Sequence, residues 1–301
     1  YRNLVALGAD AKIVGYRSAD LAHTIREINS YKEQAGVVIA TSTSIRVPLL
    51  LQCAQNGAAL YIEKPVAYKV AELDKILGLP RDVQQRSVAG FMMRYHPLVE
   101  KLIEYRDESF YRAHFEVAHD VRKWRKGWNF ASSYASQPLG GGVLLDLCHE
   151  LDLSTLICGA TNVDYVGCLA DHAYKDVDLS TQIHCSSDHG TQSLISMDYL
   201  SPSLFRRGVL HGLSKRIEYD LVAGTIQLTH GHKRRCFEFD VDRNQMFLDL
   251  MSDFMALVEG KPPKSEYVPR LDLVKGVCRM ICDAWAKREF LATIQSGLSS
   301  Q

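Results

Sequence analysis

The 301 residues are long enough for two domains at roughly 150 residues each, and 47% hydrophobic residues can build sizeable cores. Lys+Arg and Asp+Glu both number 35, so the overall charge gives no reason to expect nucleic acid and favours a small-molecule partner. No run approaches the roughly 20 apolar residues of a membrane span, no signal-peptide pattern opens the chain, and eight cysteines without a paired CxxC framework suit a reduced, cytoplasmic protein.

Tyr1 to Gly8 reads as the end of a helix closing on a glycine C-cap, and Lys12 to Tyr16 as a short strand. Val37 to Ala40 is a buried-strand run, Val47 to Asn56 a helix ended by Gly57, and Ala58 to Ile62 a further strand. This alternation predicts βαβ units and a parallel sheet. Glu63, Lys64 and Pro65 follow the last of these strands. Ligands bind outside the carboxyl ends of parallel strands, so Lys64 is placed to face a bound molecule. The competing reading is a solvated surface pair. A helix over Ala71 to Leu77 and a strand over Ser87 to Phe91 extend the unit.

From Tyr111 the pattern changes. Alternation at His114 to Val117, Thr181 to His184, Ser193 to Met197, Ile217 to Asp220 and Thr225 to Leu228 predicts a mostly antiparallel sheet in a second domain. Between the first two of these lie Gly140, Gly141 and Gly142, read as a flexible turn into one helix from Val143 to Asp152. On such a helix Leu144, Leu147 and Leu151 share a stripe, and Asp146 and His149 fall on the opposite face. An aspartate one turn before a histidine can accept its ring N–H and raise its basicity, which suits a general acid/base; a solvated polar face fits the same spacing. Met246 to Val258 and Leu271 to Ala286 have helical periodicity and could return to the first domain. Cys278 and Cys282 could share a helix face, but two ligands do not close a zinc site, so no metal is expected.

Taken in order, Glu63-Lys64-Pro65, the run Gly90 to Pro97, and the glycines leading to Asp146, His149 and Asp152 resemble the Gfo/Idh/MocA family of nicotinamide-dependent sugar oxidoreductases. The resemblance implies an α/β fold: a Rossmann-like parallel-sheet domain over 1–93, lacking its first strand here, then an α/β domain over 94–301 with a large, mostly antiparallel open sheet. That open sheet often mediates oligomerisation in the family, which implies a homo-oligomer, a dimer or tetramer. The family's GxGxxG loop and first strand would precede Tyr1. A fragment, or a protein without that dinucleotide anchor, would each read this way. Asp146 stands three residues before His149 where the family commonly has four. In the turn Thr41 to Arg46, Ser42 and Arg46 replace the commoner proline or asparagine and histidine.

The resemblance further implies that Lys64, Asp146 and His149 are catalytic, meeting at the substrate carbon beside the nicotinamide. NAD or NADP would contact Arg17, Ser18, Thr41, Ser42, Thr43, Glu63, Lys64, Pro65 and Arg94. Arg17 stands where an NAD enzyme often has an acid, and arginine suits a 2′-phosphate, which favours NADP. A sugar substrate would contact Tyr95, His96, Trp124, Arg125, Tyr134, Asp146 and His149, with an aromatic stacking on the pyranose face. The expected activity is hydride transfer at a secondary alcohol or ketone carbon of a sugar. An NAD-assisted glycoside hydrolase and a non-catalytic dinucleotide sensor are the alternatives.

Overall fold

The computed structural model describes residues 1–16, 21–30, 36–124 and 127–298. They form two compact units, Tyr1–His96 with Asp242–Arg279, and Pro97–Val241 with Met280–Gln301.

The first unit opens with α1 (Arg2–Ala6) and α2 (Leu21–Asn29) and continues through β1 (Gly36–Ile39), α3 (Thr43–Gln55), β2 (Ala59–Ile62), α4 (Val70–Leu77), α5 (Arg81–Arg86) and β3 (Val88–Ala89). The three strands pair in parallel in the order β1-β2-β3, with Ile39 beside Ile62 and Ile62 beside Ala89. All four residues of β2 are buried, as a central parallel strand covered on both faces requires. Gly57, at φ +76°, supplies the left-handed residue that stops α3 and lets the chain turn into β2.

Three expectations change here. Lys12 to Tyr16 is not a strand, because no described strand lies beside it to complete a hydrogen-bond ladder. The α3 helix starts at Thr43 rather than Val47: hydroxyl-rich residues favour turns locally, but buried Thr43, Arg46 and Val47 carry the helix through them. Only Val88 and Ala89 of the expected third strand join the ladder. Beside them, Ala89 N–H donates to the Pro269 carbonyl, and Leu60 N–H donates to the Ser87 hydroxyl at 2.9 Å.

The second unit begins with α6 (Pro97–Ile103) and β4 (Phe110–Ala118), then α7 (Val143–Asp146) and α8 (His149–Cys158). Seven strands follow: β5 (Ala160–Asp171), β6 (Ser180–Ser187), β7 (Gln192–Asp198), β8 (Phe205–Gly212), β9 (Lys215–Asp220), β10 (Thr225–His230) and β11 (Lys233–Glu238). The chain then supplies α9 (Arg243–Val258) to the first unit; α10 (Lys275–Ala286) follows, and β12 (Arg288–Ile294) lies in the second unit, where it pairs with β5. The nine-stranded sheet runs β11-β10-β9-β8-β4-β7-β6-β5-β12; only β4 with β7 and β5 with β12 are parallel. Its period of two is plain in β7, where Ser193, Ile195 and Met197 are buried while Gln192, Leu194 and Ser196 face outward. The buried face packs against α8. No helix among the described residues is long and apolar enough to cross a membrane.

Candidate active site

In the first unit, the residues expected to form the site follow the strands: Thr41 to Thr43 come after β1, and Glu63 to Pro65 come after β2. Glu63 continues the β1–β2 ladder by donating its N–H to the Ile39 carbonyl at 3.0 Å, and Gly90 N–H donates to the Ile62 carbonyl at 2.8 Å. Lys64 is half-buried and joined to Pro65 through a cis peptide bond. A Cβ on Gly90 would lie 3.2 Å from both the Glu63 carboxylate and the Lys64 backbone nitrogen, so glycine is what lets the third strand end run this close. Thr41 and Ser42 follow β1, and Thr43 begins α3. The Thr41 hydroxyl oxygen is buried with no hydrogen-bond partner among the described residues.

Arg94, Tyr95 and His96 are all buried. Arg94 donates to the Tyr267 carbonyl at 3.3 Å, and Tyr95 donates its hydroxyl to Asp253 at 2.8 Å. Asp253 also accepts the N–H groups of Lys264 and Ser265, so the Tyr95 hydroxyl is committed to holding the segment after α9.

In the second unit, the single helix expected from Val143 to Asp152 is broken. Leu147 and Cys148 form a turn between α7 and α8, so Asp146 ends one helix and His149 opens the next. The shared outward face derived from spacing therefore does not exist: His149 is only 6% exposed, Asp146 is half-buried, and Leu147 leaves the stripe that Leu144 and Leu151 keep. Positions three residues apart share a face only along one unbroken helix axis.

The glycine turn is packed rather than loose. A Cβ on Gly141 would lie 2.5 Å from the carbonyls of Gln137 and Tyr134, and one on Gly142 would collide with the Asp178 carboxylate. Asp178 is fully buried and anchors α7: its carbonyl accepts Val143 N–H at 2.9 Å, and its carboxylate accepts Leu144 N–H at 2.8 Å. Arg288 neutralises it at 2.5 Å while lying over the Trp285 ring. A buried carboxylate without such a partner would be costly.

Tyr199 is the residue that sequence reading missed. Its hydroxyl donates to the Asp146 carboxylate, and burial, followed by the Asp146 charge, pushes its own phenol well above the ordinary value. Its backbone is clamped as well, with its N–H donating to Leu179 and its carbonyl accepting from Val121. The signal was available: Tyr199 is the next inward position after Ser193, Ile195 and Met197. Around it stands an aromatic wall. Trp124 meets Tyr199 edge-on at 5.2 Å and stacks with Trp128 at 5.5 Å, and Phe130 meets Tyr174 edge-on at 5.1 Å. Tyr134 is exposed beside the glycine turn. Arg17, Ser18 and Arg125 lie outside the described residues.

The fold is that of a Rossmann-like α/β protein: a small parallel sheet with helices, and a large, mostly antiparallel sheet backed by helices. No family model matches the chain. A trans-1,2-dihydrobenzene-1,2-diol dehydrogenase of Xenopus tropicalis is 23% identical over 255 residues, covering 82% of this chain and 72% of that protein. Among the solved structures that resemble this chain, two do so over nearly its whole length. UDP-N-acetylglucosamine 3-dehydrogenase from Acidithiobacillus ferrooxidans has a TM-score of 0.69 at 18% identity, covering 95% of this chain and 85% of that one. A 3-ketoreductase from Actinomadura kijaniata, in complex with NADP and TDP-benzene, has a TM-score of 0.74 at 12% identity, covering 97% and 87%.

Proposed function

We propose that this chain belongs to the Gfo/Idh/MocA oxidoreductases and transfers a hydride between NAD(P) and a secondary alcohol or ketone carbon of a sugar or sugar derivative. The observation that carries the reading is the Tyr199–Asp146 hydrogen bond at the end of α7, with His149 opening α8 directly after. A carboxylate held from one side by a buried phenol, and followed by a histidine, is equipped for proton handling.

The residues present in the first unit suit the nicotinamide half of a dinucleotide. The Thr41 hydroxyl is buried without a partner among the described residues, Ser42 and Thr43 add hydroxyls, and Gly90 keeps the strand-end crevice clear of a side chain. Thr41, Ser42, Thr43, Glu63, Lys64, Pro65 and Arg94 would hold it. When bound, the nicotinamide supplies the hydride acceptor or donor. In the oxidation direction His149 takes the hydroxyl proton, Asp146 orients the imidazole, and Lys64 hydrogen-bonds the developing oxyanion. Exchanging the roles of Lys64 and His149 gives the same proton balance.

Exposed Tyr134 supplies an aromatic face suited to a sugar ring, and Trp128 stacks on Trp124. Self-association as a dimer or tetramer belongs to the same proposal, and light scattering on the purified protein measures it. NADP is favoured over NAD through Arg17. The deciding experiment is titration of the full-length protein with each cofactor, followed by a sugar panel read by nicotinamide absorbance. Net cofactor reduction by a sugar supports the proposal; binding of neither cofactor overturns it.

A further inference from the structure

Arg46 lies in the first turn of α3 and is 2% exposed. Removing a guanidinium from water is costly unless its donors are met. Its Nη1 donates to the carbonyls of Glu63 and Pro65, and its Nη2 to the carbonyl of Thr41. Thr41 follows β1 and Glu63 follows β2, so one side chain ties together the carboxyl ends of two neighbouring parallel strands.

The pattern of acceptors is specific. The two carbonyls that share Nη1 belong to the residues immediately before and after Lys64. The Glu63 carbonyl belongs to the peptide unit that leads into Lys64 and the Pro65 carbonyl to the unit one residue beyond it, so holding both restricts how the backbone turns on either side of Lys64 and with it the direction in which the side chain leaves. The third acceptor extends the same control to Thr41, whose hydroxyl is buried with no partner among the described residues. A planar guanidinium can serve acceptors lying in different directions, whereas a lysine ammonium on a flexible stem is a point charge.

We propose that Arg46 is the positioning residue for Lys64, holding the flanking carbonyls so that the ammonium is presented at one place in the strand-end crevice. This rests on the reading of Lys64 as a proton-handling residue. Arg46 touches no reacting atom. It acts through the backbone of Glu63 to Pro65, and it couples that segment to Thr41.

The test uses the full-length protein with Arg46→Lys, Arg46→Gln and, separately, Lys64→Met. Lysines are reductively methylated with 13C-formaldehyde, and the Lys64 methyl signal is assigned by its loss in Lys64→Arg. In the wild type, relaxation of the Lys64 signal should show a restricted side chain, in contrast to exposed Lys69. In folded Arg46→Lys, that signal should shift or broaden. Turnover should fall about 10- to 100-fold, the scale of a misplacement near 1 Å, with KM for cofactor and sugar changed less than about threefold.

A folded Arg46 variant with turnover within about twofold of wild type and an unmoved Lys64 signal would overturn the proposal. So would a fall in stability with both KM values rising and turnover unchanged, because that is what a purely structural arginine would produce. If neither variant folds, the wild-type spectrum decides: Lys64 as mobile as Lys69 contradicts the proposal, and a restricted Lys64 supports it. Normal turnover in Lys64→Met would instead remove the functional reading, while leaving the link between Arg46 and the Lys64 signal intact.

Discussion

The phenol of Tyr199 donates its hydrogen bond to the carboxylate of Asp146, joining the residue that follows β7 to the last residue of α7. Because burial and the Asp146 charge both push the phenol up, Tyr199 remains a donor across the neutral range. Hydrogen bonds to charged groups contribute about 1.5–3 kcal/mol, less where water can substitute, and Asp146 is half-buried. Tyr199→Phe should therefore lower kcat/KM by about 10-fold, each 1.36 kcal/mol being tenfold. Steady-state kinetics beside a circular-dichroism check on folding measures this.

Gly142 has φ +90°, and a Cβ there would strike the Asp178 carboxylate. Gly142→Ala combines an unfavourable backbone region with a collision at a buried ion pair. Backbone strain alone costs on the order of 1–3 kcal/mol. The expected result is a clear drop in the urea midpoint, larger than for Gly127→Ala, which shares a positive φ but meets open space.

Asp120 caps the short turn leading to Trp124, accepting the Arg122 N–H at 3.0 Å and its Nε at 2.8 Å. The Arg122 hydrogen bond is the main cause that holds the Asp120 carboxyl below the usual carboxylate range. Its folded value is thus depressed, and the stability it contributes is present above the unfolded value and lost as pH falls through the folded one. Urea midpoints followed by tryptophan fluorescence should fall on acidification below about pH 4. Asp120→Asn should start lower at neutral pH and show a shallower acid dependence.

All eight cysteines are free thiols, seven buried and Cys236 exposed on β11. Burial pushes Cys53 up to about 11, and Cys158, Cys168 and Cys185 up to about 12. The thiolate is the reactive form, so a native thiol titration near pH 8 should show one fast group. Cys236→Ser should abolish it, and denaturant should release the rest.

The legible part of this fold was the part governed by local period. The parallel run through Ile39 and Ile62 and the outward–inward alternation of β4, β6, β7, β9 and β10 follow from hydrophobic spacing alone. The strands β8, β11 and β12 escaped because their side chains are largely exposed or half-exposed, and β5 because its register shifts break the alternation of buried and exposed positions. The break at Leu147 and Cys148 was hidden for a different reason. Asp178, more than thirty residues later in sequence, holds the first turn of α7, and no local pattern announces so distant an anchor. Arg46 was visible only as an unusual residue in a hydroxyl-rich turn; its three carbonyl acceptors come from tertiary structure.

The central claim is that Lys64 and His149 handle the proton of a hydride transfer. Its most direct test is the rate of nicotinamide absorbance change at saturating cofactor and sugar, comparing the full-length protein with Lys64→Met and His149→Asn. Both folded variants should bind cofactor with little change and lose turnover by roughly 10²–10⁴, the usual contribution of a general acid or base. Near-normal turnover in both would contradict it.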